Sequence, residues 1–365
     1  MKITAIFSQV ESFGLTRPYT IAFQTSDSVE NVVARIDTDS GLSGWGAASP
    51  SEHVTGETLE ACAEALRSER LGWLVGRDVR ALPALCRELA RRAPLLPAAR
   101  AAVDMALHDL LAQRLGVPLV EMLGRAHEEL PTSITIGIKA VAETLAEAEE
   151  YVGRGFRILK VKTGRSLEED VERLRRLREK YPKSDLWIRA DANQGYTAEQ
   201  TLRFFRETAR LSIEFLEQPV PAGAVETLRA FPEEIKSRIA ADESLLSDRD
   251  ALLLARPPRA AGIFNVKLMK CGGVVPALRI ATVAELSGID LMWGCMDESV
   301  VSIAAALHAA LSSPATRYLD LDGSLDLARD VAQGGFLLEG GTMRALDAPG
   351  LGVVGDGVTR RPRRR

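Results

Sequence analysis

The chain has 365 residues, of which 46% are hydrophobic and 26% charged, and its formal net charge is −4. That is the balance of an ordinary globular protein, long enough for a barrel-sized core with a smaller second domain. It excludes a general attraction to nucleic acid or to a membrane surface, and no apolar run approaches the ~20 residues of a membrane span.

The N-terminal MKITAIFSQV reads as a strand and lacks the apolar stretch and cleavage site of a signal peptide. Residues 1–50 alternate apolar and polar around turn signals such as Asp39-Ser40-Gly41, which predicts a small antiparallel sheet. Helical patterns fill residues 56–124, with Thr55 or Thr58 as candidate caps and Gly116-Val-Pro118 as a stop and restart. Residues 1–125 therefore read as an α+β domain. From about residue 132 the pattern becomes strand–helix alternation. Eight strand candidates lie near TSITIGI, ILKVK, LWIRAD, IEFLE, RIAAD, GIFNVKL, IDLMWG and RYLDLD, separated by amphipathic stretches such as LEEDVERLRRLREKY. Eight such units with right-handed connections close a parallel barrel, here over residues 126–325. No full helix follows the eighth strand. GGFLLEGGTMRALDAPGLGVV reads instead as strands and turns that return to the N-terminal sheet, so that 326–365 joins the first domain. The arginine-rich end, Arg360 to Arg365, reads as a solvated, disordered tail, with nucleic-acid binding the lesser alternative. Cys62, Cys86, Cys271 and Cys295 have no CxxC or metal-ligand spacing and read as buried, reduced thiols, which fits a cytoplasmic location. His108 and His308, in Ala/Leu-rich helical stretches, read as structural.

Lys162, Asp191, Glu217, Asp242 and Lys267 follow one another at gaps of 29, 26, 25 and 25 residues, each at the end of a β-branched run. That gap is about one strand, one helix and two loops. Polar groups at the C-terminal ends of successive barrel strands point to a catalytic mouth. The two lysines fall on the second and sixth strands, which are diametrically opposed in a closed eight-stranded barrel, and the three acids lie along one side between them. Three converging carboxylates need a cation, and an all-oxygen set favours Mg²⁺ over zinc. A carboxylate substrate held there can lose its α-proton to give an enolate. Neighbouring cations are expected to lower a lysine's pKa so that it acts as the base. Lys160, on the same strand face as Lys162, adds such charge and stabilises the enolate. Bases on opposite faces of one carbon permit inversion.

Lys160-Val-Lys162, Asp191-Ala-Asn193, Glu217-Gln-Pro219, Asp242-Glu-Ser244 and Lys267 within NVKLMKCGG resemble the enolase superfamily, in its muconate-lactonising-enzyme-like subgroup. The helix AAVDMALHDLLAQRLGVPL and the late PGLG resemble it too. The resemblance spans nearly the whole chain. It implies an α/β fold, a modified TIM barrel of (β/α)7β type, capped by the N-terminal segment and the C-terminal end. One Mg²⁺ per site on Asp191, Glu217 and Asp242 is implied, with Asn193 behind the ligands.

Asp320-Leu-Asp322, with both carboxylates on one strand face, is similar to the pair with which dipeptide epimerases hold a substrate's ammonium. Thr135 and the segment GCMDES, with Met296 and Asp297, match substrate-contacting positions of that family. The implied activity is two-base epimerisation of the C-terminal residue of an L,L-dipeptide. The alternatives on this scaffold are an o-succinylbenzoate synthase, a muconate cycloisomerase or an N-acylamino-acid racemase, none of which needs an ammonium site. Epimerases acting on Ala-Glu resemble the chain in the N-terminal loop but carry arginine where Gln24 stands. Asp297 and Glu52 point instead to a cationic Arg or Lys side chain on the substrate. Tyr19, on the same loop as Gln24, is a candidate to close over the ligand. A small-molecule dipeptide and a homo-oligomer are the expected partners, with no nucleic acid and no membrane.

Overall fold

The computed structural model describes residues 1–20 and 25–355, with side chains from 1–17 and 26–355. The Gln24 and Tyr19 side chains and the arginine tail lie outside the described residues.

The N-terminal part is a three-stranded antiparallel meander of Ile3–Thr20, Thr25–Thr38 and Ser43–Ala48. Its inner face, with Val32, Ala34, Ile36 and Ala48, is buried. The nineteen-residue helix Pro97–Leu115 packs on the third strand through two glycines. A Cβ on Gly46 would stand 1.8 Å from the Ala102 carbonyl oxygen, and one on Gly44 would stand 2.2 Å from that of Ala106. Hydrogen there is what lets backbone meet backbone. Asp109 ties the contact from the helix side, accepting Trp45 N at 2.9 Å and Leu351 N at 2.8 Å. Thr58, not Thr55, caps the helix Leu59–Ala65, while Ser51 caps the single turn Glu52–Thr55. The long helix ends as the glycine signal predicts, with Gly116 left-handed and a short helix restarting at Leu119.

Eight parallel strands follow in strict neighbour order: Ile134–Ile136, Ile158–Lys162, Trp187–Asp191, Ile213–Glu217, Ile239–Ala241, Ile263–Val266, Asp290–Gly294 and Thr316–Asp320. Ser133 N donates to Leu319 O at 3.1 Å and Thr132 bridges Leu319, bringing the first strand to the eighth. The sheet is therefore a barrel, as the alternation predicts. Register aligns Lys162 with Asp191 and Asp191 with Glu217, so the polar strand ends form one contiguous rim.

Residues 326–328 make the expected return to the N-terminal sheet, and the later strands pair elsewhere. Phe336–Glu339 and Thr342–Ala345 form a hairpin that pairs with the two-residue strand Leu130–Pro131, and Ala332–Gly334 pairs with Val353–Gly355. The C-terminal segment meets the first strand of the N-terminal sheet at an isolated antiparallel bridge, Leu15 to Leu327. There Thr16 N donates to Asp326 O and Ala328 N to Gly14 O, at 2.8 Å each. The segment is tied further to the long helix and the turn after it. Leu119 N donates to Gly350 O at 2.7 Å, and Gly350 N to Val117 O at 2.9 Å. Among the described residues, no helix is long and apolar enough to cross a membrane.

Candidate active site

The acids are fully inside. Asp191, Glu217 and Asp242 are 0, 0 and 1% exposed, at or one residue past the ends of the third, fourth and fifth strands. Lys162 Nζ donates to Asp191 Oδ2 at 2.6 Å from one side, and Lys267 Nζ to Asp242 Oδ2 at 2.8 Å from the other. Lys267 is the residue after the sixth strand and starts the turn Leu268–Cys271. Three strands lie between those of the two lysines in either direction around the barrel, so they face one another. Lys160 is the hub: its Nζ lies 2.7 Å from Asp320 Oδ2, 2.9 Å from Glu217 Oε2 and 3.2 Å from Asp191 Oδ2.

In the protein alone, without the charge of a bound metal, the balance runs against the expected lowering of the lysines. Burial by itself lowers each lysine, but the facing carboxylates outweigh it, and Lys160, Lys162 and Lys267 are all raised above the ordinary lysine value. The strain falls on the acids. Burial, reinforced by the charge of Asp191, pushes Glu217 up to about 8. Asp242 goes the other way: burial would raise it, but Lys267 and Lys270 hold it well below the carboxylate range. The oxygen set fits a hard divalent cation. Glu243 Oε2 is buried without a hydrogen-bond partner, Glu217 Oε2 has its ion pair with Lys160 and no hydrogen bond, and burial lifts Glu243 to about 7. Mg²⁺ on Asp191, Glu217 and Asp242 would supply the missing positive charge.

Around this core lies a cavity of about 650 Å³. Thr135, Lys160, Lys162, Asn193, Asp242, Lys267, Met296, Asp297, Asp320 and Asp322 all line it. Asp320 ends the eighth strand, and Asp322 lies two residues beyond, where it accepts Thr135 N at 2.7 Å. Burial and the neighbouring Asp320 raise Asp322 to about 7. Asn193, in a left-handed conformation at φ 40°, donates from its backbone to Asp191 Oδ1 at 2.9 Å and from its side chain to Glu243 at 3.3 Å. Asp297 is pushed up to about 6 by burial, and its carbonyl is held from the first domain by Ser49 Oγ at 3.1 Å. Glu52 is different: its side chain is exposed and does not line the cavity, because Ser51, His53 and Val54 occupy the inward side of that single turn. Further acids on the cavity wall are Glu30, Glu243 and Asp326, the last 4.0 Å from Arg17 Nε.

Several contributors were not singled out in the sequence. Asn265, on the same strand face as Lys267, donates to Glu217 Oε1 at 2.7 Å. Lys270 reaches Asp242 Oδ1, the Asp242 carbonyl at 2.6 Å and the Asn265 carbonyl at 3.0 Å. Asn265 follows from the period of two, counted back from Lys267. Lys270 carries no such signal, since it sits on a helical turn. Cys295 is a cavity-wall thiol and not a core one, with its Sγ 3.2 Å from the Asp320 carbonyl.

The barrel with this rim matches known proteins along its whole length. Residues 143–357 match the family model "Enolase C-terminal domain-like", and residues 3–124 match "Mandelate racemase / muconate lactonizing enzyme, N-terminal domain". The chain belongs to this family. Among its members, an L-Lys-D/L-Arg epimerase of Methylococcus capsulatus is 64% identical over 97% of this chain and 99% of its own. The crystal structure of a dipeptide epimerase from that organism, complexed with Mg and the dipeptide L-Arg-D-Lys, superposes with a TM-score of 0.96 over 97% of this chain and 100% of that one. A substrate-liganded L-Ala-D/L-Glu epimerase from Bacillus subtilis is more distant, at 34% identity and a TM-score of 0.92 over 98% and 100% of the two chains. The enolase-superfamily resemblance and the capped-barrel fold expected from the sequence both hold.

Proposed function

We propose that the chain is a Mg²⁺-dependent dipeptide epimerase that inverts the α-carbon of the C-terminal residue of an L,L-dipeptide, with a preference for cationic side chains. The observation that carries the reading is the pair Lys162 and Lys267, opposed across one cavity that also holds Asp320 and Asp322. Bound to Asp191, Glu217 and Asp242, Mg²⁺ supplies positive charge to the substrate's carboxylate and so acidifies the α-carbon. One lysine, unprotonated, takes the α-proton at its Nζ, and the other, protonated, returns a proton to the opposite face. Lys160 holds its charge beside the reacting carboxylate. Asp320 and Asp322 take the ammonium, which places the C-terminal residue of the dipeptide, and not the N-terminal one, between the lysines.

Cationic preference rests on the acids of the cavity wall, Asp297 and Glu30, and on likeness to the Methylococcus enzyme. An N-acylamino-acid racemase would have no use for the aspartate pair. The test is incubation in D₂O with Mg²⁺ and a panel of L,L-dipeptides. Deuterium should enter the α-carbon of the C-terminal residue as the L,D diastereomer forms, faster for Lys- and Arg-containing dipeptides than for Ala-Glu. No exchange with any dipeptide sinks the epimerase reading, and a clear preference for Ala-Glu sinks the cationic one. Chelation of the metal should abolish turnover.

A further inference from the structure

A buried arginine lies one layer below the rim, and its contacts lead to the amine end of the site. Arg189 is 2% exposed and two residues before Asp191, hence on the same inward face of its strand. Its guanidinium donates to Glu214 at 2.9 Å, to the Leu319 carbonyl at 2.7 Å and to Ser133 Oγ at 3.3 Å, and it is flanked by the rings of Phe215 and Tyr318. Ser133 is wholly buried. Its hydroxyl has one proton and two nearby acceptors, Asp320 Oδ1 at 2.6 Å and the Leu319 carbonyl at 3.3 Å. That carbonyl already receives Arg189 Nη1 and Ser133 N. With the guanidinium on its acceptor side and Leu319 O taken, the hydroxyl's proton goes to the carboxylate.

Asp320 is thereby held at both oxygens, Oδ1 by Ser133 and Oδ2 by Lys160 at 2.7 Å. Asp322 is fixed from the first strand by Thr135, through its backbone N at 2.7 Å and its side chain, and Cys295 Sγ stands 3.9 Å from its other oxygen. We propose that Ser133, oriented by Arg189, is the positioning residue that fixes Asp320 toward the substrate's ammonium, so that recognition of a free amine is set beneath the cavity and not in its wall. This rests on the dipeptide epimerase reading above. Ser133 takes no part in proton transfer, and its loss acts through the orientation of Asp320.

The experiment compares wild type with Ser133→Ala on L-Lys-L-Arg, measuring kcat and KM by epimer formation. N-succinyl-L-arginine, which keeps the cationic side chain but lacks the amine, serves as a competitive inhibitor. Losing a hydrogen bond to a charged acceptor should raise KM about tenfold or more, with kcat within about twofold. The inhibition constant for the N-succinyl compound should not move. Ser133→Thr, which keeps the hydroxyl, should restore KM. An unchanged KM in Ser133→Ala overturns the proposal, as does a rise in KM accompanied by falls in both kcat and inhibitor affinity, which would mark a merely structural role. If the alanine variant does not fold, the nearly isosteric Ser133→Cys, a poorer donor, gives the same reading by a KM rise at constant inhibitor affinity. Absence of epimerisation in the wild type would instead strike the epimerase reading.

Discussion

Each lysine of the proposed base pair has its own carboxylate, Lys162 on Asp191 and Lys267 on Asp242, so the two can be separated by mutation. Either lysine changed to alanine should lower epimerisation by about 10³-fold, within the range of general acid–base catalysis. Solvent deuterium exchange should survive from only one of the two diastereomers in each variant, and from opposite ones. NMR of the α-proton in D₂O, started from the L,L and the L,D dipeptide in turn, reads this directly. Exchange from the same diastereomer in both variants would place the lysines on one face. Asp297 gives a second test at this scale. Removing its charge as Asp297→Asn should reduce kcat/KM about tenfold for a Lys- or Arg-containing dipeptide while leaving a neutral dipeptide unchanged. A uniform loss across substrates would show that Asp297 shapes the wall without reading charge.

Elements explain why so much of the site could be read along the chain. The residues that end the second to sixth strands recur with the barrel's repeat, so Lys162, Asp191, Glu217, Asp242 and Lys267 announce themselves by phase. Asp320 and Asp322 do so by the two-residue period at the eighth strand's end. Contacts without such a phase stayed hidden. Ser133 sits before the short first strand, Lys270 lies on a single helical turn, and Cys295 lies in a loop beyond the seventh strand. The pairing of the late hairpin was illegible for a similar reason, since its partner Leu130–Pro131 is two residues long. Glu52 shows the reverse failure: an acid in the right loop, turned outward by one helical step. A packing prediction belongs here. Gly46→Ala would drive a methyl into the Ala102 carbonyl and should destabilise the protein by about 3 kcal/mol, measured by urea denaturation, with the strand Ser43–Ala48 parting from the helix Pro97–Leu115.

Across the whole molecule, the C-terminal segment is secured by buried groups that do not touch the cavity. His308 Nδ1 accepts Val120 N at 3.0 Å and its Nε2 faces the Leu351 carbonyl at 3.4 Å, so the ring is the neutral tautomer with its proton on Nε2. Burial lowers its pKa from 6.5 to about 4. The unfolded chain therefore binds the proton first as the solution is acidified. The stability this residue confers is complete above pH 6.5 and is lost as pH falls toward 4, by up to about 3 kcal/mol. Denaturation curves at pH 7 and pH 5 should show the loss, and His308→Asn should flatten the difference; an equal slope in that variant would assign the acid sensitivity elsewhere. The opposed lysines have an outcome at this scale too. Like groups stand on both sides of the reacting carbon, each backed by an acid of the same cluster. Nothing in such a cavity distinguishes forward from backward. Whichever diastereomer is supplied, the reaction should run to the same final ratio, set by the free energies of the two dipeptides and not by the protein, and any net direction must come from whatever consumes one of them.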